Sequence, residues 1–477
     1  MENSMAVVDA AAADAASVDA RARGRPRPDR RRTLRACGVA GCVVVGGILL
    51  VTQHHEDASR PSASPGPAGR AVIAASVGAP ASLPDLAALI REREAQVRGN
   101  PRNDRTWAAL GAAYVERGTR TADSAFYPKA ERALRSSLSV RPRGNVNALD
   151  GLAALAAARG DWRDARKWGA ASVELAPDRW PARAVLVDAY QGLGDHKAAG
   201  KSLDELSRLA KGTAVALRTA AVYRDRGWRE DAAAVLSDAA ARAATPTERA
   251  ALLSRGGELA WERGEPQDAL RRFRAAVAAD PRCPAALAGQ ARALASLGRT
   301  VEAARVYRQA LAQRPSPEYA LELGELYESL HLAGPARAQY DTLRIWAAAR
   351  GANGVDDALV LGRFEADHGD ARAAIERLRE EWRRAPGIRT ADALGWALHR
   401  GGRDAEAIGL LRRATDRQKD GAVRDALFSY HRGAVERALG LTAPARRHID
   451  EALRINPGFS PLHAPRARVD LAALSLR

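Results

Sequence analysis

Glycine recurs along most of this chain at a nearly fixed interval. Gly160, Gly194, Gly227, Gly264, Gly298, Gly369, Gly402 and Gly440 follow one another at 34, 33, 37, 34, 71, 33 and 38 residues. The long step covers two intervals, with His331 standing where the intervening glycine would be. A frame travels with the glycine: Ala five residues on, a bulky side chain four further, and often Pro eight beyond that. Gly264/Ala269/Phe273/Pro281 and Gly298/Ala303/Tyr307/Pro315 are the cleanest copies, and Gly369/Ala374/Leu378/Pro386 and Gly440/Ala445/Ile449/Pro457 continue them. Weaker copies run through Gly194/Ala199/Leu203, Gly227/Ala232/Leu236 and Gly402/Ala407/Leu411, and one places Gly169 where the bulky residue belongs. A period in this range excludes an ordinary globular packing, because each unit stacks only on its neighbours and cannot bury its apolar face alone.

The unit is a pair of helices. Ala, Leu and Arg are abundant and aromatics are only 5% of the 477 residues, a composition that loses little on entering a helix. Gly ends the first helix in a turn that tolerates positive φ. Small residues such as Gly111, Ala269 and Ala303 let antiparallel helices approach, and the facing Leu, Phe and Tyr fill the gap. Pro stops the second helix. A length that could make two to four globular domains therefore reads as one continuous array.

The opening Trp107-Ala-Ala-Leu110-Gly111-Ala-Ala-Tyr114, followed by Ala130, Leu134 and Pro142 after an insertion near 119–127, resembles the tetratricopeptide repeat family. The resemblance covers residues 104–459 in about ten copies. It implies an all-α fold, a right-handed solenoid of antiparallel helix pairs. Leu86, Leu89, Ile90 and Val97 at helical spacing predict a lead-in helix over 85–103, and the stretch 460–477 predicts a capping helix over the other open end.

The first hundred residues differ. Residues 1–35 read as a disordered segment whose second half carries eight arginines between Arg21 and Arg35. An uncharged apolar run follows from Ala36 to Val51, then His54-His55-Glu56-Asp57 and a Pro/Ser/Ala-rich linker through 53–84. Cationic flank, apolar run and neutral flank predict a membrane signal anchor over 36–52 with the N-terminus in the cytoplasm and the array outside. The run is short for a span, which keeps two other readings open. Arg31-Arg32-Thr33-Leu34 resembles a twin-arginine export signal, and Val39-Ala40-Gly41-Cys42 a lipoprotein box.

Catalytic and metal-binding motifs are absent from the sequence. There is no phosphate-binding Gly-rich loop, no H-E-x-x-H and no G-x-S-x-G, and the nine histidines are scattered. The expectation is a chain that is no enzyme, with no cofactor, no metal and no small-molecule substrate. The family resemblance puts binding on the first helix of each repeat. Carried onto this chain, the innermost positions are Ala112, Ala154, Asp188, Ala221, Glu258, Arg292, Glu325, Arg363, Trp396 and Ala434. None is the Asn of the chaperone-tail clamp, and the six lysines fall in second helices or turns. A partner groove is expected from Arg224, Glu258, Trp261, Arg292, Glu325, Glu328, Arg363, Trp396, His399, Arg400 and Tyr430. Trp, Tyr and Arg carry much of the energy in protein interfaces, and the mixed signs suit a peptide or protein partner. The alternative for Trp261 and Trp396 is packing between repeats. The net charge of +17 also admits a second function, a nucleic-acid-associated regulator using the Arg-rich N-terminus, and a third, a substrate-handling subunit of an envelope enzyme complex.

Overall fold

The computed structural model describes residues 65–76, 78–415 and 423–475, which form one compact unit. The regions expected as the disordered segment and membrane anchor, 1–35 and 36–52, lie outside the described residues. Among those residues there is no helix long and apolar enough to cross a membrane.

Every regular element described is a helix. The first, Pro67–Ser76, falls inside the stretch read from composition as linker. It packs through buried Ala71, and Arg70 pairs with Asp85 at 2.6 Å. The composition hid it because Ala, Val and Ile need a neighbour to bury against, and Leu83–Gly99 supplies one.

Ten helix pairs follow. Repeat 1 joins Asp104–Thr121 to Phe126–Val140, repeat 2 Val146–Arg159 to Trp162–Leu175, and repeat 3 Trp180–Gly192 to His196–Leu209. Repeat 4 is Thr213–Asp225 with Arg229–Ala241, repeat 5 Pro246–Glu262 with Pro266–Ala279, and repeat 6 Pro284–Ser296 with Thr300–Gln313. Repeats 7 to 10 pair Pro317–Ser329 with Ala333–Gly351, Ala358–His368 with Ala371–Arg384, Ile388–Arg400 with Asp404–Thr415, and Ala426–Ala438 with Thr442–Ile455. A last helix, His463–Ser475, covers the end.

One contact repeats down the stack. The bulky residue of a second helix plugs between glycines of its own first helix and the next. Leu134 sits against Gly111 and Gly151, and Phe273 against Gly257 and Gly289. Tyr340, Leu378, Leu411 and Ile449 each meet the glycine of their own first helix, Gly324, Gly362, Gly395 and Gly433. At Gly169 the arrangement inverts, and Leu186 of the next repeat fills the space.

The turn glycines take positive φ from Gly160 to Gly440, and His331 takes φ 59° in the place of the missing one. Gly369 departs from this expectation. Its φ is −140°, and its N–H bonds Glu365 O to end the helix without a left-handed residue.

The stack also closes on itself. Asp356 N–H donates to Arg159 O at 2.8 Å, Arg159 Nε to Asn353 O at 3.1 Å, and Asn353 Nδ2 to Ser124 Oγ at 3.0 Å. Arg163 donates to the carbonyls of Arg383 and Arg384, and Arg229 to that of Arg424. Asn456 Nδ2 donates to Trp261 O at 2.8 Å and Ser296 Oγ to Gly458 O at 3.1 Å. Repeats 1, 2, 4, 5 and 6 thus touch segments from repeat 7 to the C-terminal cap. The groove between them becomes a lumen.

Candidate functional site

The lumen holds a cavity of about 840 Å³ bounded by the first helices of repeats 5 to 10 and by the turn after Pro457. Five of the expected groove residues line it: Trp261, Arg292, Glu325, Arg363 and Trp396. Their placement follows from the frame, because each follows or lies a turn beyond the small residue that lets neighbouring helices meet.

Trp261 and Trp396 do both things the sequence left open. Trp261 Nε1 donates to Ser296 Oγ of repeat 6 at 2.8 Å, and the Arg292 guanidinium lies 5.1 Å from its ring centroid. Trp396 is only 5% exposed. Its ring stacks on His431 of repeat 10 at 4.1 Å, and its Nε1 donates to Asp367 of repeat 8 at 3.0 Å. Each is an inter-repeat contact that also presents an edge to the cavity.

The remaining expected residues stand elsewhere. Arg224 lines a separate small pocket with Arg229 and Arg389, paired to Asp225 at 2.9 Å and Glu262 at 3.3 Å. Glu258 is paired to Arg255 on its own helix. Glu328 accepts from Tyr340 Oη at 2.8 Å and lies 3.0 Å from His368 Nδ1. His399 Nδ1 meets Asp404 at 2.5 Å, and Arg400 Nε reaches Ala366 O at 3.2 Å. Tyr430 is buried, in ring contact with Phe459 and His463. These six serve the fold rather than the cavity wall. Their polar groups are taken up by neighbours on the same or an adjacent helix, which a residue-by-residue frame cannot show.

The lining has a sign that the sequence did not disclose. Glu262, Glu318, Glu322, Glu325, Asp356, Asp357, Asp367, Glu381, Asp392 and Asp425 all face it, against Arg292, Arg363, Arg389 and Arg468. The chain as a whole carries +17, so charge is segregated, with acid inside. Several of these carboxylates sit at first-helix positions other than the single innermost one used for the sequence expectation. The other unforeseen contribution is the C-terminal turn, where Phe459, Ser460 and His463 close the wall.

Three of the lining carboxyls are shifted upward, Asp357 among them through burial. Burial, then the neighbouring Asp356 carboxyl, push Glu381 up to about 8. Burial and the Asp392 charge raise Asp425, which caps its helix by accepting from Leu427 N at 2.8 Å and Phe428 N at 3.2 Å. Asp367 goes the other way. Burial opposes its ionisation, but hydrogen bonds from His463 and Trp396 hold it below the ordinary carboxylate range. Among the described residues, no group of three or more His, Cys, Asp or Glu is placed to hold a metal ion.

Comparison with known proteins places the helix pairs in a family. Residues 255–320 and 390–423 each match a family model described as tetratricopeptide repeat. No curated protein matches the chain. Among solved structures, human IFIT1, determined as a dimer with PPP-AAAA, is 18% identical, covering 65% of this chain and 72% of that one at a TM-score of 0.46. Yeast Tom70 is 13% identical, covering 78% and 96% at a TM-score of 0.34. Pseudomonas aeruginosa pilF is 19% identical, covering 41% and 88% at a TM-score of 0.34. At these identities and scores, nothing those proteins bind carries over to this chain. The frame at Gly264/Ala269/Phe273/Pro281, the two matched segments and the ten stacked pairs identify tetratricopeptide repeats in this chain.

Proposed function

We propose that this chain is a protein-interaction scaffold that holds a peptide or protein partner in the lumen of its repeat array. Tetratricopeptide arrays are generally non-catalytic interaction scaffolds, and the observation that carries the reading here is the cavity of about 840 Å³. It is walled by aromatic and charged side chains rather than by a lone catalytic constellation. Trp261, Trp396 and Phe459 offer apolar area, and the charged groups around them fix orientation, the division of labour of a specific binding site. Nucleic acid is a poor occupant, since the acidic lining repels phosphate.

The scaffold is tethered, in this reading, by residues 36–52 to the outer face of a cytoplasmic membrane, in bacterial envelope assembly, secretion or sensing. Support comes from the arginines before the apolar run and the neutral flank after it. Two measurements test the parts separately. A photo-crosslinking side chain at Leu330, on the cavity wall, should trap the partner, while one at Val301, 82% exposed and absent from that wall, should not. Trapping at Val301 alone would remove the lumen from the function. Protease added to intact spheroplasts should digest a tag placed after Arg477, and protection would put the array in the cytoplasm.

A further inference from the structure

At the C-terminal end of the cavity two buried imidazoles stand among carboxylates and an indole ring. His431 is 4% exposed and His463 5% exposed, and both line the cavity. His431 Nδ1 lies 3.0 Å from both oxygens of Asp392, and His463 Nε2 lies 3.4 Å from Asp367 Oδ2. A ring nitrogen facing a carboxylate carries the proton. The opposite nitrogen, when it carries no proton, is a lone-pair acceptor. Those opposite atoms, His431 Nε2 and His463 Nδ1, are buried and have no hydrogen-bond partner.

The two rings stand edge to face, 5.7 Å apart, with Trp396 stacked on one and edge-on to the other at 5.4 Å. Carboxylates complete the surroundings. Asp392 and Asp425 lie close enough for the Asp392 charge to raise Asp425, a repulsion that an added positive charge would relieve. Further along the wall, Glu318 and Glu325 extend the acidic surface. Of the four lining arginines, Arg292 is held by Glu322 at 2.8 Å, Arg468 donates to Pro457 O at 2.6 Å, Arg389 faces the charges of Asp225 and Glu262, and Arg363 stands one turn before Asp367 on the helix Ala358–His368. Lone pairs, carboxylates and aromatic faces all favour the same ligand chemistry, an N–H donor that carries positive charge.

Resting on the scaffold reading, we infer that the corner of the lumen formed by Trp396, His431, His463, Asp392 and Asp367 is a recognition site for an arginine or lysine side chain presented by a basic segment of a protein partner. The guanidinium or ammonium satisfies the two imidazole acceptors, lies on the aromatic wall, and neutralises the carboxylates. Glu318 and Glu325 draw further basic residues of the same segment along the wall. A partner presenting an acidic segment is rejected by the same surface.

The test is fluorescence anisotropy on the intact protein with a short labelled peptide of Arg, Ser and Gly. Two matched peptides replace every Arg by citrulline, which keeps the shape and loses the charge, or by Glu. The Arg peptide should bind about tenfold or more tighter than the citrulline peptide, and the Glu peptide should not bind. Equal binding of Arg and citrulline peptides, or no binding of any, overturns the inference without using a variant. In the E318Q/E325Q double variant the Arg peptide should weaken by about tenfold and lose part of its salt dependence. E376Q, on a side chain 70% accessible and absent from the cavity wall, should leave binding unchanged. Equal weakening in both variants also overturns it. Crosslinking keeps the two readings apart. If the natural partner is trapped at Leu330 while Arg and citrulline peptides bind alike, the lumen binds but not through charge. If the Arg peptide is trapped at Val301 and never at Leu330, both readings fail.

Discussion

Two kinds of contact hold this molecule, and they are built from opposite chemistry. Between successive repeats the contact is apolar and interlocked, with Phe273, 0% exposed, seated between Gly257 and Gly289. Where the array meets itself the contact is polar, a ladder of carbonyls and guanidinium or amide donors such as Asn456 to Trp261 O. Interlocked apolar surface is worth several kcal/mol for each plugged residue. A hydrogen bond contributes about 1 kcal/mol net. The seam should therefore loosen under conditions that leave the helix pairs intact, and a lumen that opens in that way can admit an extended partner.

The largest expected effect belongs to the apolar contact. Phe273→Ala empties the space between two helices and should cost about 3–5 kcal/mol, read as a lowered denaturant midpoint. Loss should concentrate in repeats 5 and 6, because stability in such stacks is mostly a nearest-neighbour sum. A cost under 1 kcal/mol, which is about the worth of a single hydrogen bond, would remove the distinction between the two contacts.

Gly289→Ala attacks the same contact from the other side. The added Cβ would stand 2.2 Å from Phe273 Cε1, and the ring cannot retreat because Gly257 backs it. Overpacking of this kind costs about 1–3 kcal/mol, more than the helix propensity gained. Thermal unfolding of the variant checks it, and an unchanged melting temperature would mean that the stack is looser than its geometry.

Asn456→Ala probes the seam. Asn456 is 3% exposed, donates to Trp261 O, and accepts from Gly458 N at 2.9 Å. Its removal leaves two polar groups unpaired, a loss of about 1–2 kcal/mol. Hydrogen exchange should quicken at the turn after Trp261, 195 residues away along the chain. A purely nearest-neighbour stack would show no such coupling.

The seam also has a pH dependence. Glu381 faces Asp356, whose N–H holds Arg159 O across the seam. Unfolded, Glu381 releases its proton near its ordinary 4.5; folded, near 8. Its contribution is fully present below 4.5 and declines as the pH rises to about 8, since unfolding then releases a proton. Glu381→Gln cannot ionise and should flatten that decline, leaving the variant on the order of 1–2 kcal/mol more stable at pH 9. Melting curves at pH 5 and 9 decide it, and parallel shifts of the two proteins would sever the carboxyl pair from the seam.

The stack was legible in the sequence because its rule is local. Small residue, bulky residue and turn glycine repeat at fixed offsets, so Leu134, Phe273 and Ile449 announce their own pockets. His331 could even be placed where a left-handed residue is required. The seam was not legible, since Arg159 and Asn353 are brought together by the accumulated rotation of six helix pairs, and no residue type marks either one. The site was half legible for the same reason. Trp396 and Arg292 follow from the frame, whereas the acidic sign of the lumen and the closing turn at Phe459 arise only when distant repeats converge.

Gly169 gives the smallest expected effect and the finest test of the contrast. It occupies the place of the bulky plug, yet Leu186 from the next repeat reaches across and fills it. A Cβ there would meet Leu186 Cδ2 and Cγ at 3.1 Å, a flexible side chain rather than a pinned ring. Gly inside the helix Trp162–Leu175 forgoes about 1 kcal/mol of helix propensity relative to Ala. The gain and the small displacement of Leu186 nearly offset, so Gly169→Ala should change stability by no more than about 0.5 kcal/mol in either direction. Gly289 and Gly169 stand at the same kind of helix contact, and the depth of the overlap, 2.2 Å against 3.1 Å, together with the stiffness of the facing side chain separates their outcomes. If Gly169→Ala proves as costly as Gly289→Ala, what the stack resists is any added volume. If it is neutral, the resistance belongs to the wedged aromatic ring, and repeats 2 and 3 are where the array has room to flex.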